Sequence, residues 1–400
     1  MFQHLLKLIW KRKTRNVMLS LEILLAFIIV FGIAAAGLRY LQIARLATGF
    51  EQRDVWAVTL LPPRDVKTTF TPDLYGHFKR GLEALPQVRQ VAFANSAPYA
   101  GSGMSGNVKA PGSGRKLNAE MLEVNDDFFA VLGMQPGSGR FFTDADDGAA
   151  MQPVVINRRL ARALFGTEAA TGLRYTAGDN GGGQPAQFQV SGVVDELRFG
   201  GELAAPRNVM IMRHIPLQTD MSMQTILIKM APGTPRAFEE KLHGQLKQIR
   251  ADWGYVIAPL SAMRVSARAI IVTPLSIMAV IALFLLAMVA VGLFGVLWQN
   301  TARRIPEIGL RRAVGANAGD IYRQIIAEQL LLSSGAIAIA LLLLVQLPIT
   351  GAFGESLNWT VFVSASALSM AVIYLLSLLC AVYPGWRAGR LSPTEALHDD

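Results

Sequence analysis

Four long apolar runs constrain this 400-residue chain more than any other feature. About 20 consecutive apolar residues cross the hydrocarbon core of a bilayer, and they do so as helix because lipid offers no partner to an unpaired backbone group. The runs at 17–39, 269–298, 324–347 and 360–383 meet that length. Composition agrees, with 52% hydrophobic residues and a formal net charge of +9. The positive charges lie beside the runs, which favours an anionic membrane surface over nucleic acid as their counterpart. The first run is too long for a cleaved leader and no small-x-small cleavage signal follows it, so it reads as an anchor.

Lysine and arginine placement sets the expected orientation. Lys7, Lys11, Arg12, Lys13 and Arg15 precede the first run, Arg303, Arg304, Arg311, Arg312 and Arg323 separate the second from the third, and Arg387 and Arg390 follow the fourth. Segments 1–16, 299–323 and 384–400 are therefore expected on the cytoplasmic side, and the loop 348–359, free of Lys and Arg, on the other. The expected fold is a membrane protein with an α-helical four-span transmembrane domain and a large α+β periplasmic domain, 40–268, inserted between spans 1 and 2. Both termini are then expected on the cytoplasmic side. Residues 1–16 place Phe2, Leu5, Leu6 and Ile9 on one helical face, as a helix lying on the inner leaflet does; a frayed basic leader is the other reading.

Within 40–268, runs of β-branched and apolar residues predict strands at 55–60, 88–94, 117–124, 153–157, 187–194, 208–212 and 224–230. Helical periodicity predicts helices at 72–85, 126–133, 158–166 and 235–253. Gly/Ser-rich joints at 101–106, 112–114 and 178–184 divide the segment into two subdomains, the second inserted in the first.

No clustered catalytic chemistry is legible. The single cysteine, Cys380, excludes a disulfide framework within the chain. His4, His77, His214, His243 and His398 are scattered, without an HxxxH pair. The acidic run TDADDG (143–148) begins like a calcium loop but places Val155 at its twelfth position, counted from Asp144, so a capped turn is the stronger reading. The glycine-rich GSGMSG and GDNGGG lack the GK[ST] of a phosphate cradle and read as flexible loops. No metal or catalytic residue is expected. Glu22 and Glu328 fall near the ends of spans, where an acid either reaches the headgroups or pairs with a nearby cation; a proton relay is the alternative.

The stretch RRIPEIGLRRAVGANAGDIY (303–322) stands out between two spans. Pro306 suits a first helical turn, Glu307 the positive end of the dipole, and Gly315 the C-cap, so a short helix is predicted across the membrane face. The motif EIGLRRAVGA, followed by DIY and Glu328, resembles the cytoplasmic coupling segment of MacB/FtsX-like permeases of ABC transporters. VNDDFFAVLGMQPGSGRFF (124–142), VVINRRLARALFG (154–166) and QVSGVVDELRFGG (189–201) resemble the MacB-type periplasmic core domain, and YPGWRAGRLSPTEAL (383–397) the family's tail.

The resemblance implies a permease subunit whose coupling helix docks on a separate ABC ATPase, with Glu307, Ile308, Gly309, Arg311, Ala313, Gly315 and Ala316 carrying the docking surface. Pro306 and Arg312 depart from the family's usual residues and point to a dedicated partner. In the bacterial inner membrane that the resemblance implies, ATP is expected to be bound by that partner, with no cofactor and no N-terminally fused ATPase expected in this chain. A second permease, identical or related, and membrane lipid are expected partners, with a periplasmic adaptor and outer-membrane channel if the work is efflux of a small molecule or peptide. Lipoprotein release and FtsX-like control of a cell-wall hydrolase, as a scaffold or regulator, are the alternatives.

Overall fold

The computed structural model describes residues 13–63, 71–101, 103–177, 186–214, 223–315 and 317–390. Most of the predicted amphipathic helix at 1–16, the joint at 178–184, Ala316 and the last ten residues lie outside them. Helix α1 (Lys13–Ala44) opens the chain. There follow β1 (Val55–Leu61), α2 (Pro72–Glu83), β2 (Val88–Ala94), β3 (Met104–Lys109), β4 (Lys116–Val124), α3 (Phe128–Val131), β5 (Ser138–Gly139), β6 (Gln152–Asn157) and α4 (Arg158–Phe165). Next come β7 (Arg174–Ala177), β8 (Ala186–Val194), β9 (Val209–Arg213), β10 (Thr225–Met230), α5 (Phe238–Ile249) and β11 (Gly254–Pro259). Helices α6 (Leu260–Ala302), α7 (Ile305–Ala313), α8 (Ala318–Leu344), α9 (Gln346–Thr350) and α10 (Trp359–Arg390) close it. The chain divides into two compact units, one comprising residues up to Gln42 and from Val272 onward, the other Ile43–Ile271.

The Ile43–Ile271 unit is α+β, built on one sheet of strand order β11-β1-β10-β2-β4-β3-β7-β8-β6-β9, and β9 also pairs in parallel with β4. Strands β4, β3, β7, β8, β6 and β9 thus close on themselves, while β2 joins β4 through the single pair Ala94–Val124. The run VWAVTL forms a strand buried on both faces: Val55 and Ala57 enter one core, Trp56, Val58 and Leu60 the other. Over the second face lie α2, through Tyr75, Phe78 and Leu82, and α5, through Phe238, Leu242 and Leu246, with Trp253 fully buried beneath. Thr71 caps α2 by accepting from the Leu74 amide at 3.3 Å, with Pro72 in the first turn.

All seven predicted strands are present within a residue or so of their expected bounds, and four more are found among the described residues. GSGMSG is the plainest difference: its last three residues begin β3, and a Cβ at Gly106 would have to displace the tip of the Met121 side chain. The glycine there serves close packing, not flexibility. The predicted helix at 235–253 is shorter, Phe238–Ile249, because the chain turns at Arg250–Trp253 into β11.

Among the described residues, four helical segments are long and apolar enough to cross a membrane: Val17–Ala44, Leu260–Ala302, Ala318–Thr350 and Trp359–Arg387. Each outruns the apolar stretch that announces it, because hydropathy marks the hydrocarbon core while a helix propagates as long as its backbone bonds do. At 1.5 Å per residue the α6 helix is about 65 Å long, roughly twice a 30 Å hydrocarbon core. Leu19, Ile23, Phe27 and Phe31 form one stripe of α1 and share a core with Ala336, Ile337 and Ala340 of α8 and Val361, Phe362 and Ala365 of α10. Small residues let α8 and α10 approach closely, and Ser333–Ser377 (2.8 Å) and Ser334–Tyr374 (2.9 Å) bond between them.

Candidate functional site

The predicted coupling stretch is a separate helix. After the turn at Arg303–Arg304, α7 begins with Pro306 and Glu307 in its first turn, where the missing N–H costs nothing and the carboxylate meets the positive end of the dipole. It ends at Gly315, whose φ of +106° reverses the chain into α8. Asn317, in extended conformation, precedes α8, and Asp320 occupies its first turn.

That reversal brings two i,i+4 pairs into one polar chain. Arg311 Nη2 donates to Glu307 Oε1 at 2.6 Å and Arg311 Nη1 to Gln324 Oε1 at 2.9 Å. Gln324 Nε2 donates to Glu328 Oε1 at 3.0 Å, and Arg304 Nη1 to Glu328 Oε2 at 2.7 Å. Beside this chain, Ile308 packs on Ile321 and Ile325. Helix α7 is therefore fixed on α8 by an apolar contact and by the Arg311–Gln324 bond, with Arg304, just before α7, paired to Glu328 and the two i,i+4 pairs linking these contacts into one chain. The opposite side of α7 carries Leu310 and Val314, 61% and 82% exposed.

Of the residues predicted to dock, Glu307, Ala313 and Gly315 are exposed, Arg311 is half-buried within the polar chain, and Ile308 and Gly309 face inward. Leu310 and Val314 were not singled out from sequence, although their i,i+4 spacing on the side away from Ile308 is the signal that identifies them. Glu328 takes the pairing role, through Arg304. Glu22 lies against Gly292 of α6, where a Cβ would overlap its carboxyl. The predicted tail at 384–400 begins as helix: α10 continues through Pro384 to Arg390, and Gly385 approaches the Tyr322 ring so closely that a Cβ would come within 3.0 Å. Trp298, Tyr383 and Trp386 stack in series, with the Arg387 guanidinium over the Trp298 ring at 4.4 Å, a cation–π contact.

The acidic run at 143–148 is a capped turn. Thr143 N donates to Asp146 Oδ2 at 2.9 Å, Arg140 Nη1 reaches the same oxygen at 2.7 Å, and Asp147 pairs with Arg213, which also grips Asp126. Hydrogen bonding from Arg140 holds the Asp146 carboxyl below the usual carboxylate range. A depressed folded-state pKa contributes stability that is complete above the unfolded value, about 3.9, and is lost as pH falls through the folded one. Asp146→Asn is expected to remove that part of acid destabilisation, seen as a flatter dependence of Tm on pH below about 4.

Residues 17–244 match the MacB-like periplasmic core domain and residues 261–393 the FtsX-like permease C-terminal domain. Macrolide export ATP-binding/permease protein MacB of Chromobacterium violaceum is 28% identical over 302 residues, which cover 70% of this chain and 43% of that protein. Pyoverdine export ATP-binding/permease protein PvdT of Pseudomonas aeruginosa is 28% identical over 283 residues, 68% of this chain and 41% of its own. The chain thus spans less than half the length of these relatives. The crystal structure of the periplasmic region of MacB from Actinobacillus actinomycetemcomitans covers 57% of this chain and 98% of its own at 15% identity, with a TM-score of 0.39. With both halves matched in this order, and with four helices of membrane-spanning length among the described residues, the chain belongs to the MacB/FtsX-like family of ABC transporter permeases.

Proposed function

We propose that this chain is the permease subunit through which an ABC ATPase drives movement outside the inner membrane, with both termini on the cytoplasmic side. The carrying observation is α7: a short helix between two spans, fixed on α8 by the polar chain from Glu307 to Arg304, with Leu310 and Val314 left exposed on its free side. A helix held this firmly passes on a push instead of absorbing it. In this reading Leu310, Val314, Ala313, Gly315 and Ala316 meet the ATPase, Glu307 and Arg311 flank the contact, and Ile308 and Gly309 set the seat of the helix. ATP binds in the ATPase, and closure of an ATPase dimer selects one of two permease conformations by differential affinity. Helices α1 and α6 act as levers into the 40–268 domain, which works beside a second permease, identical or related.

The work proposed is efflux of a small molecule or peptide from the periplasm by way of an adaptor and an outer-membrane channel. The relatives' names, macrolide export and pyoverdine export, support that class over lipoprotein release or hydrolase control. The test is co-purification from membranes in mild detergent. Leu310→Glu/Val314→Glu is expected to reduce the amount of co-purifying ABC ATPase at least tenfold, because two carboxylates would be buried unpaired against an apolar groove, while the chain's own melting temperature stays within about 2 °C as for other exposed positions. ATPase recovered equally with wild type and variant would refute docking at α7.

A further inference from the structure

The loop between β8 and β9 grips two helices at once. Arg198, 2% exposed, spends its guanidinium on backbone carbonyls: Nη1 donates to Ile43 O at 2.8 Å, Nε to Ala47 O at 3.0 Å, and Nη2 to Leu46 O. Nη1 also reaches Glu202 O at 2.8 Å and Ala204 O at 3.4 Å, which ties the loop to itself. Ile43 lies in the last turn of α1, and Leu46 and Ala47 follow it; helix ends leave carbonyls unpaired, and a cation there meets the negative pole of the dipole. The backbone adds Arg198 N to Thr48 O at 2.9 Å. Gly49, at φ +86°, passes so close to the Glu196 carbonyl that a Cβ would overlap it.

Four residues beyond Arg198, the Glu202 carboxylate forms an ion pair with Arg264 in the second turn of α6. Leu260 is fully buried in the core that contains Tyr99 and Phe199, and Met263 and Ala267 pack against it. The middle of the loop is pinned as well: Tyr99 N donates to Phe199 O at 2.8 Å, and Gly201, at φ +99°, lies under the Tyr99 ring, where a Cβ would come within 2.8 Å. One loop is thus fastened to the end of α1, to the start of α6 and to the core between its own ends.

We propose that residues 196–204 are a latch that locks the end of α1 to the start of α6, with Arg198 and Glu202 as its positioning residues, so that the two helices move as one body where they meet the domain. The purpose assigned to the latch rests on the lever reading above; its existence does not. Neither helix needs a large contact with the other, because each is bonded to the same nine-residue segment. A carbonyl clamp suits this role, since a guanidinium presents five donors in a fixed plane and can hold several carbonyls at once.

The test uses the full chain in lipid nanodiscs, in a Cys380→Ser background, with spin labels on Arg45→Cys and Val265→Cys, both exposed positions. A single narrow distance distribution is expected with the latch intact. Arg198→Gln and Glu202→Gln are each expected to broaden it at least twofold. Glu202→Arg and Arg264→Glu are expected to broaden it singly and to restore the narrow distribution together, which a purely local packing role would not do. Should Arg198→Gln fail to fold, the Glu202→Gln variant and the charge exchange carry the test, because they leave the buried guanidinium in place. Unchanged widths in folded variants, or an exchanged pair that stays broad, overturn the latch. Co-purification of the ATPase is read separately, so loss of the docking reading and loss of the latch are distinguishable.

Discussion

Asn157→Ala is expected to lower the thermal midpoint of the Ile43–Ile271 unit by roughly 10 °C. Asn157 is fully buried between β6 and α4, and its side chain serves three backbone groups. Its Oδ1 accepts from Leu160 N at 3.0 Å, as the cap of α4, and from Val209 N at 3.1 Å, while Nδ2 donates to Arg207 O at 2.7 Å. Loss of a cap costs about 1 kcal/mol, and each buried backbone group left unpaired about 1–3 kcal/mol. With the cap and two further groups the sum is roughly 3–7 kcal/mol, and in a domain of this size each kcal/mol moves the midpoint by about 2–4 °C, so roughly 10 °C lies toward the lower end of the range. The fluorescence of buried Trp253 reports the transition. Asn208→Ala, whose bond to Asn118 O is solvent-exposed, is the control and is expected to shift it by under about 2 °C. A drop of less than about 3 °C for Asn157→Ala would mean that another group takes over the three bonds, and that the β6–α4–β9 junction does not depend on this side chain.

The contrast between β1 and β3 explains what was legible in the sequence. VWAVTL reads as a strand because burial on both faces demands a continuous apolar run, and TILIKM does so for the same reason. In MSGNVK the inward positions are Gly106 and Val108, and the tip of the Met121 side chain on β4 fills the space beside the glycine, a neighbour that no local pattern reveals. Strand β11 owes its identity to antiparallel pairing with β1, and the four-residue β7 to its place between β3 and β8. The same divide runs through the candidate site. The pairs Glu307/Arg311 and Gln324/Glu328 are visible as i,i+4 spacings, but their union into one chain requires the reversal at Gly315, which is tertiary. Ile308 shows only in the fold that it packs against Ile321 and Ile325, leaving Leu310 and Val314 as the free apolar face.

Glu328→Ala is expected to raise amide exchange across α7 by about a hundredfold while leaving Leu310 and Val314 free to bind. Glu328 stands at the junction of the polar chain: one oxygen accepts from Arg304, before α7, and the other from Gln324, which in turn accepts from Arg311 inside α7. The side chains of Arg304 and Glu328 are 15% and 17% exposed, so the pair is screened less than a surface ion pair and more than a fully buried one. Removing one member of a buried pair costs about 3–5 kcal/mol because the other charge is stranded; residual solvation at this site reduces the expected loss to roughly 2–4 kcal/mol. At 1.4 kcal/mol per decade, the middle of that range is the hundredfold change in local opening. Glu328→Gln keeps an acceptor for Arg304 and is expected to fall between wild type and alanine, and Arg304→Glu/Glu328→Arg restores the charges in exchanged places and is expected to recover most of the protection. If α7 works as the transmitting element, the alanine variant retains its ATPase in pull-down and loses at least tenfold in transport per ATP hydrolysed, the reverse of the pattern for Leu310→Glu/Val314→Glu. Unchanged α7 protection in Glu328→Ala would show that Ile308, Ile321 and Ile325 alone hold the helix, and the polar chain would then have no part in its rigidity.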